Sequence, residues 1–171
     1  MKKLLTILVF SVLFAACTKT DPFEKIFDIS EDAAIAPIEQ NSQLITELNA
    51  DTKILSRILS ANGVQSYPYG VDNEKAIIIN APSDLLSGLP EIDFDKYSIV
   101  VGQYFLPSSA YSLRDQRILL GNNKITLYLD VKEEGYGAAY LDMGFFASVY
   151  PKMPDMPIEV ISSTRVNAEK K

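Results

Sequence analysis

Residues 124–132 constrain the fold of this chain more than any other part of its sequence. One face of this segment is apolar and the other is polar or aromatic: Ile125, Leu127, Leu129 and Val131 against Thr126, Tyr128, Asp130 and Lys132. Such alternation is the pattern of a half-buried β-strand, because successive side chains of a strand point to opposite faces. Together with residues 116–120 and a turn at 121–123, the segment predicts a β-hairpin.

The rest of the second half of the chain is also predicted to be rich in strands. Residues 97–105 form a strand in which Gly102 marks a bulge or a close approach of another group. Residues 138–150 form a long alternating strand, and residues 158–161 form a last short one. In the first half, residues 76–79 are a β-branched run that is typical of a buried strand.

Helical periodicity is concentrated in residues 42–61. Polar residues at 49–52 interrupt it, so the sequence allows one helix or two short helices with Asp51 capping the second; a strand over 53–60 is the competing interpretation. Ser83 is predicted to cap one or two helical turns that end at Gly88. The predicted fold is α+β and β-dominated: a small antiparallel β-sandwich or barrel-like domain with one or two helices, after a lipoprotein signal peptide.

The first 17 residues predict where the protein resides. Two lysines precede a run over residues 4–16 that is apolar except for Thr6 and Ser11. This order is typical of a secretory signal, and the run is shorter than the about 20 residues that a transmembrane helix needs. Residues 14–17, Phe-Ala-Ala-Cys, resemble a bacterial lipobox, in which a diacylglycerol is joined to the cysteine. An ordinary cleavable signal is the alternative.

Cys17 is the only cysteine of the chain, so it has no partner for an intramolecular disulfide, and acylation would give it a role. Thr18 follows it rather than aspartate, which in the sorting rule implied by the lipobox predicts the outer membrane and leaves open which side the domain faces. The predicted organisation is a signal peptide at 1–16, the lipidated cysteine and a linker at 17–40, one globular domain at 41–163 with a β-rich core at 76–161, and a polar tail at 164–171.

Composition argues against several classes of function. Removal of residues 1–16 changes the net charge from −6 to −8, because it removes Lys2 and Lys3 and no acidic residue. That balance argues against nucleic acid and against docking on anionic lipid through the protein surface, so membrane contact should come from acyl chains on Cys17. The chain has no histidine, which excludes a Ser-His-Asp triad and histidine metal sites. We therefore expect neither catalysis nor a cofactor.

Asp93 and Asp95 are the remaining candidates for chemistry. They lie two positions apart on an extended segment and would point the same way, as a calcium site or a carboxylate-based glycoside hydrolase requires. The alternative, which the sequence favours, is that Asp93 forms an Asx turn before the strand at 97 and that Asp95 is solvated.

An aromatic row supplies the predicted binding surface. Tyr140, Phe146 and Tyr150 share one face of the strand at 138–150, with Tyr128 on a neighbouring strand. If exposed, such a row would bind a sugar ring or a partner protein. The alternative, which the sequence favours because large aromatic side chains are usually buried, is that both faces of the sheet are covered, one of them by the helix of residues 42–61.

Residues 76–161 resemble a family of small bacterial lipoproteins. The similarity lies in the segments IIINAPSDLLSGL, EIDFDKYSIVVGQY and ASVYPKMPDMPIEVI, and above all in residues 92–97 and 154–158. The β domain of that family is similar to the C-terminal domain of the protease-complex subunit PrcB. The resemblance implies a compact β-sandwich or barrel-like body with a small helix and, by analogy, a role beside an envelope protease.

Three functions are therefore open. The first is a lipid-anchored, non-catalytic module that binds an envelope protein or a glycan. The second is an inhibitor or accessory subunit of an envelope protease, which an ordered, protruding loop at 106–111 would favour. The third and least favoured is a carboxylate-based hydrolase, which requires two carboxylates within about 5–10 Å in one cleft.

Overall fold

The computed structural model describes residues 26–27, 33–38, 42–65, 74–138 and 141–165. The predicted signal peptide and Cys17 lie outside these ranges. The main elements are two helices, six strands and a 3₁₀-helix (Asp84–Leu86) between the first two strands: α1 (Ser42–Ala50), α2 (Thr52–Ala61), β1 (Lys75–Ile79), β2 (Tyr97–Leu106), β3 (Tyr111–Leu120), β4 (Ile125–Glu133), β5 (Asp142–Pro151) and β6 (Ile158–Arg165). The predicted β-dominated α+β fold is confirmed.

The strands form two three-stranded sheets. Sheet I has the order β1-β2-β5 and is antiparallel throughout. Sheet II has the order β3-β4-β6, in which the predicted hairpin of β3 and β4 is antiparallel and β6 runs parallel to β4. Sheet II is therefore mixed rather than antiparallel. Its cause is the crossover: between β4 and β6 the chain passes through sheet I as β5, so that β6 runs in the same direction as β4.

The apolar face of β4 lies between the two sheets. Its four alternating residues are all 0% exposed: Ile125, Leu127, Leu129 and Val131. They pack against Val100, Tyr104, Phe146 and Tyr150 of sheet I. The alternation that defines β4 in the sequence thus places it as the central strand of one layer of a sandwich.

Helices α1 and α2 cover the other face of sheet I. Their buried residues are Leu44, Leu48, Leu55, Ile58 and Leu59, which pack on Ile99, Val101, Ala147 and Val149 of β2 and β5. The interpretation as two short helices is confirmed, since the Asp51 side chain accepts hydrogen bonds from the backbone N–H groups of Lys53 (2.9 Å) and Ile54 (3.3 Å). The molecule therefore has three layers: helices, sheet I and sheet II.

Residues 33–38 connect the two sheets along one side of the sandwich. Ile35 exchanges two backbone hydrogen bonds with Ile118 of β3, at 2.7 and 2.8 Å. The N–H of Ile38 then donates to the carbonyl of Val149 on β5, at 2.7 Å. Since β3 and β5 are edge strands, this part of the predicted linker satisfies backbone groups that would otherwise be open to another chain.

Three strand boundaries differ from the predictions by four residues or more. β3 begins at Tyr111 rather than 116, and β5 begins at Asp142 rather than 138. β6 continues to Arg165, beyond the predicted end at 161 and into the predicted tail. The guanidinium of Arg165 donates to the carboxylate of Asp130 on β4 (Nε to Oδ1, 2.7 Å), and this contact between the strands keeps the end of β6 paired.

Candidate functional site

The predicted aromatic surface is not an exposed row. Tyr150 is 0% exposed and Phe146 is 4% exposed, both in the core between the sheets. Tyr128 lies half-buried on the outer face of sheet II, where its ring meets that of Phe27 edge-on with centroids 5.1 Å apart. Tyr140 lies outside the described residues. The interpretation that both faces of the sheet are covered, one of them by residues 42–61, is therefore confirmed for sheet I. An exposed row that includes Phe146 and Tyr150 is excluded.

Two aromatic rings in the core between the sheets, those of Phe146 and Tyr104, each lie over a glycine on the neighbouring strand of sheet I. Phe146 is paired with Gly102, and a Cβ atom added at Gly102 would lie 2.6 Å from Cε1 of Phe146. Tyr104 is paired with Gly144 in the same way, and a Cβ atom there would lie 2.7 Å from the Tyr104 hydroxyl oxygen. Each ring occupies the space that a side chain on the paired glycine would take. The rings therefore lie flat enough for sheet II to pack on the inner face of sheet I. The predicted close approach at Gly102 is confirmed.

Asp93 and Asp95 form a turn. The Asp93 carboxylate accepts a hydrogen bond from the N–H of Asp95 (3.1 Å) and lies 2.8 Å from the ammonium nitrogen of Lys96. The hydrogen bond from Lys96 is the main cause that lowers the pKa of Asp93. Among the described residues, no group of three or more cysteine, aspartate or glutamate residues could hold a metal ion. The Asx-turn interpretation is confirmed.

The candidate site is an apolar cavity next to this turn. It has a volume of about 420 Å³ and lies between α1 and the connection from β1 to β2. The lining includes Leu44, Leu86, Leu89, Ile92, Phe94 and Ile99, with Pro82 and Pro90 among them. At the surface the cavity is bordered by the exposed residues Ser83, Ser87 and Glu91. Its volume is within the range of about 300–1,000 Å³ that is typical of ligand sites.

The 3₁₀-helix shapes one wall of the cavity. Its N-cap is Ser83, whose hydroxyl oxygen accepts a hydrogen bond from the N–H of Leu85 at 3.2 Å, as the sequence predicts. The helix ends after one turn, and Gly88 then adopts a left-handed conformation with φ of +86°. Pro90 cannot continue a helix, so the chain turns back toward β2. The wall is therefore irregular in backbone and apolar in side chains.

Lys152 joins the two ends of this connection. Its ammonium group donates to the carbonyl oxygens of Asn80 (2.8 Å) and Phe94 (2.7 Å). Its backbone N–H donates to the carbonyl of Lys96 at 2.7 Å. Asn80 directly follows β1 and Phe94 lies shortly before β2, so a single side chain from the end of β5 fixes the base of the loop that forms the cavity wall.

The lining favours a ligand whose buried part is apolar and whose charge, if it has one, is positive. No lysine or arginine is among the described lining residues, and Glu91 is the one carboxylate. A buried carboxylate or phosphate would lose its hydration here without a cation to compensate for it. The hydroxyl groups of Ser83 and Ser87 can hydrogen-bond a polar atom at the edge of the cavity. The cavity therefore suits an apolar group that carries a polar atom at its outer end.

The sequence predicts a cap, a short helix and a turn here, but not a cavity. The signal that was available is the density of large apolar residues in an irregular segment: Leu85, Leu86, Leu89, Ile92 and Phe94. Pro82, Gly88 and Pro90 exclude a long helix or a strand for them. Apolar side chains on such a loop must pack on another element, and in this molecule that element is α1 with the face of sheet I beneath it.

Two loops contact each other beyond the C-terminal end of β2. The loop at 107–110 is bound to the loop at 134–138: the N–H of Ala138 donates to the Ser109 hydroxyl (2.9 Å), and the N–H of Glu134 donates to the carbonyl of Ala110 (2.7 Å). Tyr136, between these contacts, is 95% exposed. The loop at 106–111 is thus ordered by its neighbour, and the exposed aromatic ring belongs to that neighbour.

Comparison with known proteins gives no match: no family model, no curated protein and no solved structure matches this chain significantly. The resemblance of residues 76–161 to the PrcB-like lipoproteins therefore stays a prediction. Within the described part of the chain, every helix is too short or too polar to span a bilayer.

Proposed function

We propose that this protein is a lipoprotein, anchored in the bacterial outer membrane through Cys17, that binds an envelope protein without catalysing a reaction. The observation that carries the proposal is the apolar cavity of about 420 Å³ beside the 3₁₀-helix. The anchor rests on the lipobox at residues 14–17 and on the single cysteine of the chain. The proposal does not use the predicted aromatic row, because Phe146 and Tyr150 are buried between the sheets.

The proposed occupant of the cavity is an apolar side chain of the partner. A glycan is a poorer match, because sugars need many polar partners and Phe94 is the one aromatic ring in the lining. A fatty acid is also a poorer match, since its carboxylate would approach Glu91 rather than a cation. Glu91 and the net charge of −8 that remains after removal of residues 1–16 favour a partner whose surface around that side chain is basic.

The first test measures binding by the purified protein with two dyes, neutral Nile red and anionic anilinonaphthalene sulfonate. We expect Nile red to bind more tightly, because the cavity offers no cation. Ser87→Trp places an indole ring at the opening and should weaken Nile red binding several-fold. Ser60→Trp, at an exposed position of α2, is the matched control. Equal affinity of both tryptophan variants would show that the dye binds elsewhere.

The second test identifies the partner in cells. A photo-crosslinking amino acid is placed at Ser87 on the cavity edge or, as the control, at Asn123 in the exposed hairpin turn. We expect an envelope protein to be captured from position 87 only. The captured protein is then purified, and its affinity is measured for the unchanged chain and for Ser87→Trp. An affinity that Ser87→Trp leaves unchanged contradicts the proposal.

The third test addresses the anchor. Cys17→Ser removes the acceptor for the lipid, so the protein should move from the detergent phase to the aqueous phase of fractionated cells. Mass spectrometry of the mature chain should find an N-terminus at residue 17 with acyl chains. Membrane association that survives Cys17→Ser would contradict the lipid anchor while leaving the cavity proposal intact.

An inhibitor or accessory subunit of an envelope protease is the second candidate. Its support is the ordered pair of loops at 107–110 and 134–138, which presents Tyr136 at 95% exposure. Exposed tyrosines on ordered loops are frequent anchors in protein interfaces. The test adds purified protein to an outer-membrane extract and follows hydrolysis of labelled casein. Inhibition that Tyr136→Ala abolishes and Ser87→Trp preserves would favour this candidate over the first.

A further inference from the structure

The edge strands of the sandwich are protected unequally. β3 and β5 form the edges on one side, and residues 33–38 hydrogen-bond to both, at Ile118 and Val149. β3 also contains a bulge between Leu113 and Asp115, which interrupts its regular pairing. β1 and β6 form the edges on the other side, and among the described residues no backbone hydrogen bond reaches the outer edge of β6. This strand is therefore the exception among the edges of sheet II.

The pairing of β6 with β4 fixes the direction of its backbone groups. The N–H of Ile125 donates to the carbonyl of Pro157 at 2.8 Å, and Ile125 lies opposite Ile158. In a parallel ladder such a residue bonds the two residues that flank its partner, so the odd-numbered residues of β6 bond to β4. The N–H and C=O groups of the even-numbered residues then point to the outer edge: Ile158, Val160, Ser162 and Thr164. Each of these residues offers one donor and one acceptor to a further strand.

β6 has none of the features by which edge strands usually avoid pairing. It contains neither proline nor glycine, and its register with β4 is unbroken from Ile158 to Arg165. Its inward side chains, those of the even-numbered residues, carry no charge. Proteins whose edge strands stay single commonly place a proline, a bulge or an inward charge there, or keep the strand short. β1 is the shorter edge, with five residues against the eight of β6, so β6 is the edge that is suited to pairing.

Open space lies beside the first half of this edge. A groove of about 620 Å³ separates the start of β1 from β6, and its lining includes Glu74 and Lys75 on one side and residues 157–160 on the other. Farther along, the Glu74 carboxylate accepts a hydrogen bond from the Ser162 hydroxyl at 2.7 Å, which attaches β1 to β6. Thr164, near the end of β6, is exposed. The described elements therefore leave room beside both ends of the edge.

The charges of β6 favour a second copy of the same strand. When two copies of β6 run antiparallel with Ser162 opposite itself, Glu159 of each copy lies opposite Arg165 of the other, because both residues are three positions from Ser162. Opposite charges directly across two antiparallel strands favour their pairing. Within its own chain, Glu159 already contacts Lys124, and Arg165 contacts Asp130. Cations and carboxylates would therefore alternate across the two copies.

The same register also satisfies the backbone. With Ser162 at the two-fold axis, Val160 lies opposite Thr164 of the second copy, so that residues with outward N–H and C=O groups face each other. A shift by one residue would place these residues opposite residues whose backbone groups point to β4, and the hydrogen bonds would be lost. Because the contact uses the same strand of both copies, it closes at a dimer and does not propagate into a fibre.

We infer that two copies of this protein associate by antiparallel pairing of β6 with β6, with Ser162 at the two-fold axis, and that their two copies of sheet II become one six-stranded sheet. The inference goes beyond the proposed function and does not rest on it, because neither Cys17 nor the cavity beside the 3₁₀-helix takes part. None of the residues that line that cavity belongs to β6. The dimer therefore presents two cavities, each free to bind a partner.

The experiment measures association of residues 17–171 carrying Cys17→Ser, so that neither lipid nor thiol is present. Sedimentation equilibrium should find a reversible equilibrium between monomer and dimer. Thr164→Pro removes an outward N–H that no described residue uses, and proline is tolerated at such a position of an edge strand. It should weaken the dimer several-fold, because the proline ring also meets the backbone of the second copy. Thr164→Ala keeps the N–H and is the matched control. A monomer at every concentration up to the millimolar range, or equal effects of proline and alanine, overturns the inference.

Single cysteines test the register without a proline. Residues directly opposite each other in such a pair have Cα atoms about 5.5 Å apart, which suits a disulfide. Under mild oxidation Ser162→Cys should therefore form an intermolecular disulfide faster than its matched controls, Ile161→Cys and Ser163→Cys, although Ile161 is the more exposed position. Thr164→Pro added to Ser162→Cys should slow this reaction several-fold. Faster crosslinking at 161 or 163, or no crosslinking at any of the three positions, overturns the inference.

Discussion

The phenyl ring of Phe146 lies over Gly102 on the neighbouring strand, in the space that any larger side chain at Gly102 would need. A Cβ atom there would be 2.6 Å from Cε1 of the ring and 3.0 Å from the carbonyl oxygen of Lys75. Because Phe146 is 4% exposed, its ring has little room to move away. We expect Gly102→Ala to lower the free energy of unfolding by about 2–3 kcal/mol, measured by urea denaturation.

Two variants show whether the ring is the cause. Gly135→Ala adds a methyl group where no atom lies within 4 Å, and it should change the free energy of unfolding by less than about 0.5 kcal/mol. Phe146→Leu combined with Gly102→Ala should cost less than the sum of the two single changes, because the smaller side chain removes the overlap. Strict additivity in this double-mutant cycle would mean that the Lys75 carbonyl, not the ring, resists the methyl group.

The elements of this fold that follow from local patterns were predictable from the sequence. The alternation at 124–132 places every apolar residue of β4 in the core. The interrupted periodicity at 49–52 allows two helices with Asp51 capping the second, and the structure selects this interpretation from the three that the sequence leaves open. Ser83 and Asp93 form the predicted cap and turn, since both depend on hydrogen bonds to residues within a few positions along the chain.

The pairing of distant segments was not predictable in this way. Periodicity assigns Phe146 and Tyr150 to one face of β5 but cannot say that sheet II covers that face, because the covering strands are remote in sequence. The cavity was missed for the same reason: its wall is a loop, and its shape depends on Leu44 and on Lys152, one from each side of the loop in sequence. No local signal indicates contacts of that kind.

The buried hydroxyl of Tyr150 predicts an alkaline transition. Burial raises the pKa of Tyr150 above its ordinary value of 10.0, and Asp115 adds to the effect. Because the pKa is higher in the folded protein, the stability that the neutral phenol contributes is present below about pH 10 and is lost as the pH rises. We expect Tyr150→Phe to weaken this loss, measured as the free energy of unfolding between neutral and alkaline pH. Tyr104, whose pKa burial also raises, should account for part of the remaining dependence.

Tyr150→Phe also leads to a prediction for the protein at neutral pH. The Tyr150 hydroxyl is buried and has no protein hydrogen-bond partner among the described residues. Its removal should leave the free energy of unfolding at pH 7 unchanged or raise it by up to about 1 kcal/mol, because no hydrogen bond to protein is lost. Tyr136→Phe, at a ring that is 95% exposed, is the matched control. A loss of more than about 1 kcal/mol in Tyr150→Phe would reveal a hydrogen bond to this hydroxyl.

The ion pair of Asp93 and Lys96 predicts an acid dependence. The hydrogen bond from Lys96 lowers the pKa of Asp93 below its ordinary value of 3.8. Stability from this pair is therefore present above about pH 4 and is lost as the pH falls through the lowered pKa. Lys96→Met should raise the pKa of Asp93 toward 3.8, measured by NMR titration of its carboxyl carbon. An unchanged titration would mean that the N–H of Asp95, rather than Lys96, sets the pKa.

The last prediction concerns Lys152, which fixes the base of the loop that forms the cavity wall. Lys152→Met removes the hydrogen bonds to the carbonyls of Asn80 and Phe94, and since the side chain is exposed we expect a loss of about 1 kcal/mol in the free energy of unfolding. The larger effect should be local: hydrogen exchange at residues 82–94 should accelerate, and Nile red should bind several-fold more weakly because the wall is no longer preformed. Lys53→Met, at an exposed position of α2, controls for the lost charge. Weaker dye binding with unchanged exchange at 82–94 would show that Lys152 contacts the ligand, whereas faster exchange with unchanged dye binding would show that the cavity does not depend on this loop.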